Sequence, residues 1–319
     1  MSAEHAHLAS GLASQPLPTI TQLVGGTPLM RIRRLGASGP GVEIFAKLEY
    51  FNPGGSVKDR PALQMVLDAL ADGRLTAEKT LIDSTSGNTG VAYSWIGAAL
   101  GFAVALVMPA NVSLARKRIT TAYGARIIYS DPMEGSDGAI RAVRRLVEAQ
   151  PGLYFYPDQY SNESNPRAHY LTTGEEIWKQ TRGLVTHFVC GIGTGGTVMG
   201  TGRRLKDYRR DIQVIAVEPA EALHGLEGLK HMASSIVPPI YREEELDEKI
   251  SVGTDEGWEM ADRLLAEEGL LVGRSAGAAM VGALRIARRL AAEKKPGTIV
   301  TLFPDRADRY FEPPRPRGP

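Results

Sequence analysis

The chain has 319 residues, of which 43% are hydrophobic and 23% charged, and it carries one cysteine, Cys190. Its 37 basic and 36 acidic side chains leave a net charge of +1, so composition makes no case for nucleic acid or an anionic membrane as partner. A lone cysteine excludes an intramolecular disulfide and CxxC-type metal spacing; no metal site is expected, and a reducing, cytoplasmic setting is inferred.

Residues 1–18 have no basic stretch leading into an apolar core, so they read as a disordered tail rather than a signal peptide. Gly25-Gly26-Thr27-Pro28-Leu29 reads as a turn and Val42–Leu48 as a strand. In Asn52-Pro53-Gly54-Gly55-Ser56-Val57-Lys58-Asp59-Arg60 a Pro-Gly-Gly turn gives way to helical spacing at Ala62, Leu63, Met65, Val66, Ala69 and Leu70, closing at Gly73. Asp59 is placed as an N-cap or first-turn acid, which leaves Lys58 just ahead of a helix N-terminus. The partial positive charge there disfavours an ammonium ion and lowers the lysine pKa. Lys58 is then either a solvated lysine or an amine ready to form a Schiff base.

Thr80–Asp83 reads as a strand, followed by a loop at 84–90, a helix and a strand at Phe102–Met108. The uncharged run from Ser84 to Ala115 has the length of a membrane helix, but Gly97, Gly101 and Pro109 divide it into a buried helix, a turn and a buried parallel strand. Further helices are expected from about Ser113 to Tyr123 and at 136–149, 172–181, 196–208, 254–268 and 277–293. Strands are expected at 125–129, 153–156, 187–190, 212–217, 270–272 and 298–303. Such alternation indicates an α/β fold with largely parallel sheets. The Pro-rich end, 313–319, reads as a disordered tail.

Gly191-Ile192-Gly193-Thr194-Gly195-Gly196-Thr197 joins a strand to a helix, where free backbone N–H groups make an anion cradle. Gly191, Gly193 and Gly196 also satisfy G-x-G-x-x-G, with Glu218 beyond the next strand. A nicotinamide-dependent oxidoreductase is therefore a rival reading, and a turn needed only for packing is another.

The stretches Asn52–Arg60, Thr85-Ser86-Gly87-Asn88-Thr89-Gly90 and Gly193–Thr197, in this order, resemble the fold-type II pyridoxal-phosphate enzymes of the cysteine synthase and cystathionine β-synthase group. The likeness runs from about Gly25 to Tyr310. It implies a tryptophan synthase β-like α/β architecture of two domains, each a mostly parallel twisted sheet flanked by helices. The smaller domain, 40–165, would carry the substrate-carboxylate loop; the larger, 19–39 with 166–312, would bind the cofactor phosphate. By the same resemblance Lys58 anchors pyridoxal 5′-phosphate and shuttles the substrate α-proton, and Gly193, Thr194, Gly195, Gly196 and Thr197 hold the phosphate. Asn88 would lie beside the 3′-oxygen and Ser275 opposite the pyridine nitrogen, where a neutral hydroxyl suits β-elimination better than transamination. Thr85, Ser86, Gly87, Thr89 and Gln159 would grip the substrate carboxylate.

The implied reaction is β-replacement through α-aminoacrylate, making L-cysteine from O-acetylserine or O-phosphoserine with sulfide, thiosulfate or a sulfur-carrier protein as donor. Condensation of serine with homocysteine, and a silent pyridoxal-binding protein, are the alternatives. Gly228–Pro238 and Pro304–Tyr310 look like the second type of cysteine synthase. Lys230 stands where O-phosphoserine users place a cation, or is a solvated loop lysine. The family likeness suggests a homodimer. Three departures stand out: Asp83-Ser84 in place of Glu-Pro, Arg274 beside Ser275, and no Ser-Thr continuation after Tyr310.

Overall fold

The computed structural model describes residues 19–36, 39–85, 87–112 and 114–310. In chain order its elements are β1 (Leu29–Arg31), β2 (Val42–Leu48), α1 (Asp59–Ala71), β3 (Thr80–Ser84), α2 (Asn88–Leu100), β4 (Val104–Pro109), α3 (Leu114–Ala122), β5 (Arg126–Ser130), α4 (Gly135–Ala149) and β6 (Tyr154–Phe155). There follow α5 (Ser164–Ala168), a π-helical turn (His169–Thr173), α6 (Gly174–Gln180), β7 (His187–Gly191), α7 (Gly196–Tyr208), β8 (Gln213–Pro219), β9 (Glu248–Val252), α8 (Thr254–Glu268), α9 (Arg274–Ala292) and β10 (Gly297–Phe303). Both expected tails lie outside the described residues, as do Ser86 and Ser113.

Two sheets carry the fold: six strands in the order β1-β2-β10-β7-β8-β9, and four in the order β5-β4-β3-β6. Among the described residues all pairings between these strands are parallel except β1 with β2. Alternating side chains explain how each sheet is covered on both faces. Val189, Ile215 and Val217 pack under α8 and α9, while Phe188, Cys190, Val214 and Ala216 face Val198, Met199 and Leu205 of α7. In the smaller sheet Leu81, Val104 and Leu106 meet α1 and α2, and Ile82, Ala105 and Val107 meet α4. The uncharged run from Ser84 is thus α2, a turn and β4, all six residues of which are buried. Among the described residues no helix is long and apolar enough to cross a membrane.

Three expectations need correction. Val42–Leu48 belongs to the six-stranded sheet, between β1 and β10, although a boundary at residue 40 assigns it to the smaller domain. Leu270–Val272 is not a strand: β9 occupies the sheet edge, and after the left-handed Gly269 the buried Leu270 and Val272 fill core beneath α8 and α9. The segment after the Gly25–Gly26 turn extends into β1, pairing Leu29 with Lys47.

Candidate active site

The turn before α1 is built to aim Lys58. Gly54 N donates to Asp59 Oδ2 at 2.6 Å, and Trp95 Nε1 donates to Asp59 Oδ1 at 3.0 Å. A Cβ on Gly54 would come within 2.3 Å of both Asp59 Oδ1 and Trp95 Nε1, so only glycine allows this approach. Val57 N donates to Pro304 O at 2.9 Å, tying the turn to the end of β10. Lys58 is the N-cap of α1 and lines the cleft between the sheets. Its amine pKa is lowered, in the direction expected, but the leading cause is burial, opposed by the charge of Asp305. Burial also pushes the Cys190 thiol up to about 12, so it is a neutral S–H.

The cleft encloses about 570 Å³ and receives Lys58, Thr85, Gly87, Asn88, Thr89, Gln159, Gly193, Thr194 and Lys230 from both sheets. A narrower extension beneath it is lined by Lys58, Gly193, Thr194, Gly195, Thr197 and Ser275. Gly196 opens α7, with Gly195 as its left-handed N-cap at φ +89°. At a helix start the first N–H groups lack intrahelical partners, so the α7 end offers its amides to an anion. A second helix start, that of α2, lines the same cleft. There Thr89 Oγ1 donates to Gln159 Oε1 at 2.9 Å, and Gly87 N donates to Thr85 Oγ1 at 3.3 Å. Ser86 lies outside the described residues.

Several residues have partners that sequence reasoning did not supply. Asn88 Nδ2 donates to Asp305 Oδ2 at 2.6 Å, and its Oδ1 accepts from Arg309 Nη1 at 2.8 Å. One Nδ2 proton of Asn88 therefore remains for the cleft. Asp305 is buried and also accepts from Tyr310; burial raises its carboxyl pKa, against the hydrogen bonds from Tyr310 and Asn88. Arg116 of α3 lines the cleft mouth, paired with Glu227 and lying 5.4 Å from the centroid of Tyr310. The only sequence signal for this group was the Pro304–Tyr310 stretch, which carried no residue roles.

Lys230 faces the cleft with Nζ 5.2 Å from the Tyr160 ring centroid, its pKa lowered by burial against the attraction of Asp137. Arg274 turns away from Ser275, bonding Trp258 O at 3.1 Å and Asp262 Oδ1 at 2.7 Å. Asp83, one of the departures, is buried and its pKa is pushed up to about 7 by that burial. Glu218 accepts from Met232 N at 3.1 Å and pairs with Lys249 at 3.3 Å, so it is not free to hold a ribose as the dinucleotide reading requires.

A family model described as pyridoxal-phosphate dependent enzyme matches residues 20–305. The chain is 55% identical to a cysteine synthase of Aquifex aeolicus (strain VF5), over 92% of this chain and 90% of that protein. It is 40% identical to cysteine synthase B of Pseudomonas aeruginosa, over 92% and 96% of the two chains. The crystal structure of a cysteine synthase from Entamoeba histolytica matches with a TM-score of 0.88 at 37% identity, covering 93% of this chain and 90% of that one.

Proposed function

The chain belongs to the pyridoxal-phosphate-dependent enzymes, in the group of the cysteine synthases, and from that premise we propose how its own residues make L-cysteine from an O-activated L-serine and a sulfur donor. The observation that carries this reading is the convergence of a half-buried Lys58 of lowered pKa with two helix starts on one cleft.

The residues fit the cofactor. The α7 start and Gly193–Thr197 suit a phosphate, and Lys58 reaches the same narrow extension with an amine whose pKa burial lowers. Bound pyridoxal phosphate supplies an electron-withdrawing ring that acidifies the α-carbon of a substrate amino acid. Lys58 Nζ would take the α-proton, since burial lowers its pKa toward the neutral amine that can act as a base. Ser275 would face the ring nitrogen with a neutral hydroxyl, and Asn88 would have one N–H left for the ring oxygen. Thr85, Gly87 and Thr89 at the α2 start, with Gln159 bonded to Thr89, would hold the substrate carboxylate. So held, the substrate would present its α-carbon to Lys58 and its leaving group to the cleft mouth lined by Lys230.

Lys230 at that mouth favours an anionic leaving group, which supports O-phosphoserine alongside O-acetylserine. Sulfide, thiosulfate and a sulfur-carrier protein remain the donors to compare, in a cytoplasmic homodimer. The test is cysteine production by the purified protein from each serine ester, followed with Lys58→Ala and Lys230→Ala. Lys58→Ala should make no cysteine and show no visible band from bound cofactor; normal turnover in that variant would refute the assigned base. Lys230→Ala should lower kcat/KM for O-phosphoserine about ten- to a hundredfold, the worth of one charge-assisted hydrogen bond, and leave O-acetylserine nearly unchanged. Equal losses on both esters would remove Lys230 from leaving-group recognition.

A further inference from the structure

Behind the glycine-rich loop lies a segment that the mechanism does not use, running from Asn165 in α5 through the π-helical turn to Thr173. Single π turns inside α-helices are rare and recur at functional sites. Two side chains of this segment reach the loop's two hydroxyls. Asn165 Nδ2 donates to Thr194 Oγ1 at 3.1 Å and to Gln159 O at 2.7 Å. His169 Nε2 lies 3.2 Å from Thr197 Oγ1, while its Nδ1 lies 2.9 Å from Thr173 Oγ1. Asn165, His169 and Thr173 are all buried, so water does not compete for these bonds.

The protons can be counted. At Asn165 the Gln159 carbonyl is purely an acceptor, so the nitrogen must face it, and that same nitrogen faces Thr194. Thr194 Oγ1 also accepts from Gly196 N at 3.3 Å. Both its lone pairs are taken, and its own proton is left to point away from the segment, toward the cavity that Thr194 lines. At His169, burial lowers the ring pKa to about 3, so the imidazole is neutral and carries one proton. Two tautomers are then possible. With the proton on Nδ1, Thr173 accepts it and Thr197 must donate to Nε2, which leaves Thr197 nothing to give an anion. With the proton on Nε2, Thr197 accepts from the ring, Thr173 donates to Nδ1, and the Thr197 proton faces the cavity. Only the second arrangement serves an anion in the loop.

We propose that Asn165 and His169 are positioning residues, which donate from behind to Thr194 and Thr197 so that both hydroxyls present their protons to the cofactor phosphate. This rests on the reading of residues 193–197 as the phosphate site. It also gives that site a physical link to the substrate loop, because Gln159, whose carbonyl takes the Asn165 amide, holds Thr89 through its side chain.

The experiment compares two ligands and one tautomer. Equilibrium binding of pyridoxal phosphate and of pyridoxal, which lacks the phosphate, is measured on the full chain carrying His169→Leu, His169→Gln or Asn165→Asp. His169→Leu and Asn165→Asp should each weaken pyridoxal phosphate about ten- to a hundredfold and leave pyridoxal within about twofold, the loss of one well-aimed hydrogen bond to a charged group. His169→Gln restores an N–H donor and should recover most of the affinity. Variants that lose both ligands equally, or neither, overturn the proposal. Should the variants fail to fold, nitrogen-15 NMR of the six histidines of the wild-type holoenzyme decides it. A neutral His169 protonated at Nε2 is expected, and one protonated at Nδ1 overturns it. A wild-type protein that binds pyridoxal phosphate no better than pyridoxal would instead refute the phosphate site itself, and the proposal with it.

Discussion

Two residues beyond Lys58, Arg60 enters a buried cluster whose charges balance, and removing it should unbalance them measurably. Arg60 bonds Glu49 at 2.6 and 2.9 Å and Glu176 at 2.7 and 2.8 Å, while Lys47 Nζ bonds Glu176 at 2.6 Å and Thr27 O at 2.5 Å. Two cations thus meet two carboxylates, with Lys47 and Glu49 wholly buried. Burial pushes the Glu49 carboxyl up, but the charge and hydrogen bonds of Arg60, aided by Lys47 and Thr27, override it and bring the pKa from 4.5 to about 2. A depression of that size corresponds to about 3 kcal/mol of stability, present above pH 4.5 and lost as pH falls toward 2. Arg60→Met leaves the buried carboxylate undercompensated, which should cost about 3–5 kcal/mol at neutral pH. With burial now dominant the Glu49 pKa rises above its unfolded value, so the variant, unlike the wild type, should gain stability as pH falls from 7.5 to 5.5. Urea unfolding of the holoprotein at both pH values reads these effects. The double variant Glu49→Gln with Arg60→Met, which keeps the Lys47–Glu176 pair, should recover much of the loss. A single variant within 1 kcal/mol of wild type, or a double variant no better than the single, would refute the charge-balance account.

Two further outcomes follow from the site. Asp305 raises the Lys58 pKa against the burial that lowers it, so Asp305→Asn should let the amine lose its proton at lower pH. The rate of pyridoxal phosphate uptake by the apoprotein, which needs the neutral amine, should then rise at a lower pH than in wild type, and a shift to higher pH contradicts the assignment. Gly195→Ala places a Cβ at φ +89° and 3.0 Å from Tyr241 Cβ; it should destabilise the loop by about 1–2 kcal/mol and weaken cofactor binding. An alanine variant with unchanged Tm and cofactor affinity would show that the left-handed conformation is not needed.

Local chemistry made much of the site readable. Lys58, the Thr85–Thr89 loop and Gly193–Thr197 each sit where a turn meets a helix start, and glycine, threonine and proline announce such junctions within a few residues. Helices α7 and α8 were legible to the residue for the same reason, since a glycine precedes each of them and Gly269 closes α8. Long-range partners were not legible. Asn88 meets Asp305 and Arg309 from more than two hundred residues away, and nothing near Asn88 encodes that meeting. The sheet that takes β2 depends on β10, at the far end of the chain. β9 escaped notice because only Ile250 and Val252 of its five residues are buried, too short an alternation to stand out. The role of Lys47 was equally hidden, because a lysine inside an apolar strand gives no sign of the carboxylates that neutralise it.

Cys190 and Lys58 line the same narrow extension, so the chain's one thiol shares a pocket with its proposed base. With its pKa near 12, only about one such thiol in ten thousand is ionised at pH 8, and thiolate is the form that attacks electrophiles. The protein's own sulfur is therefore a bystander in a pocket that activates other sulfur. It neither competes with the incoming nucleophile nor captures the electrophile meant for it. With no second cysteine in the chain, it also cannot be drawn into an internal disulfide by its own product.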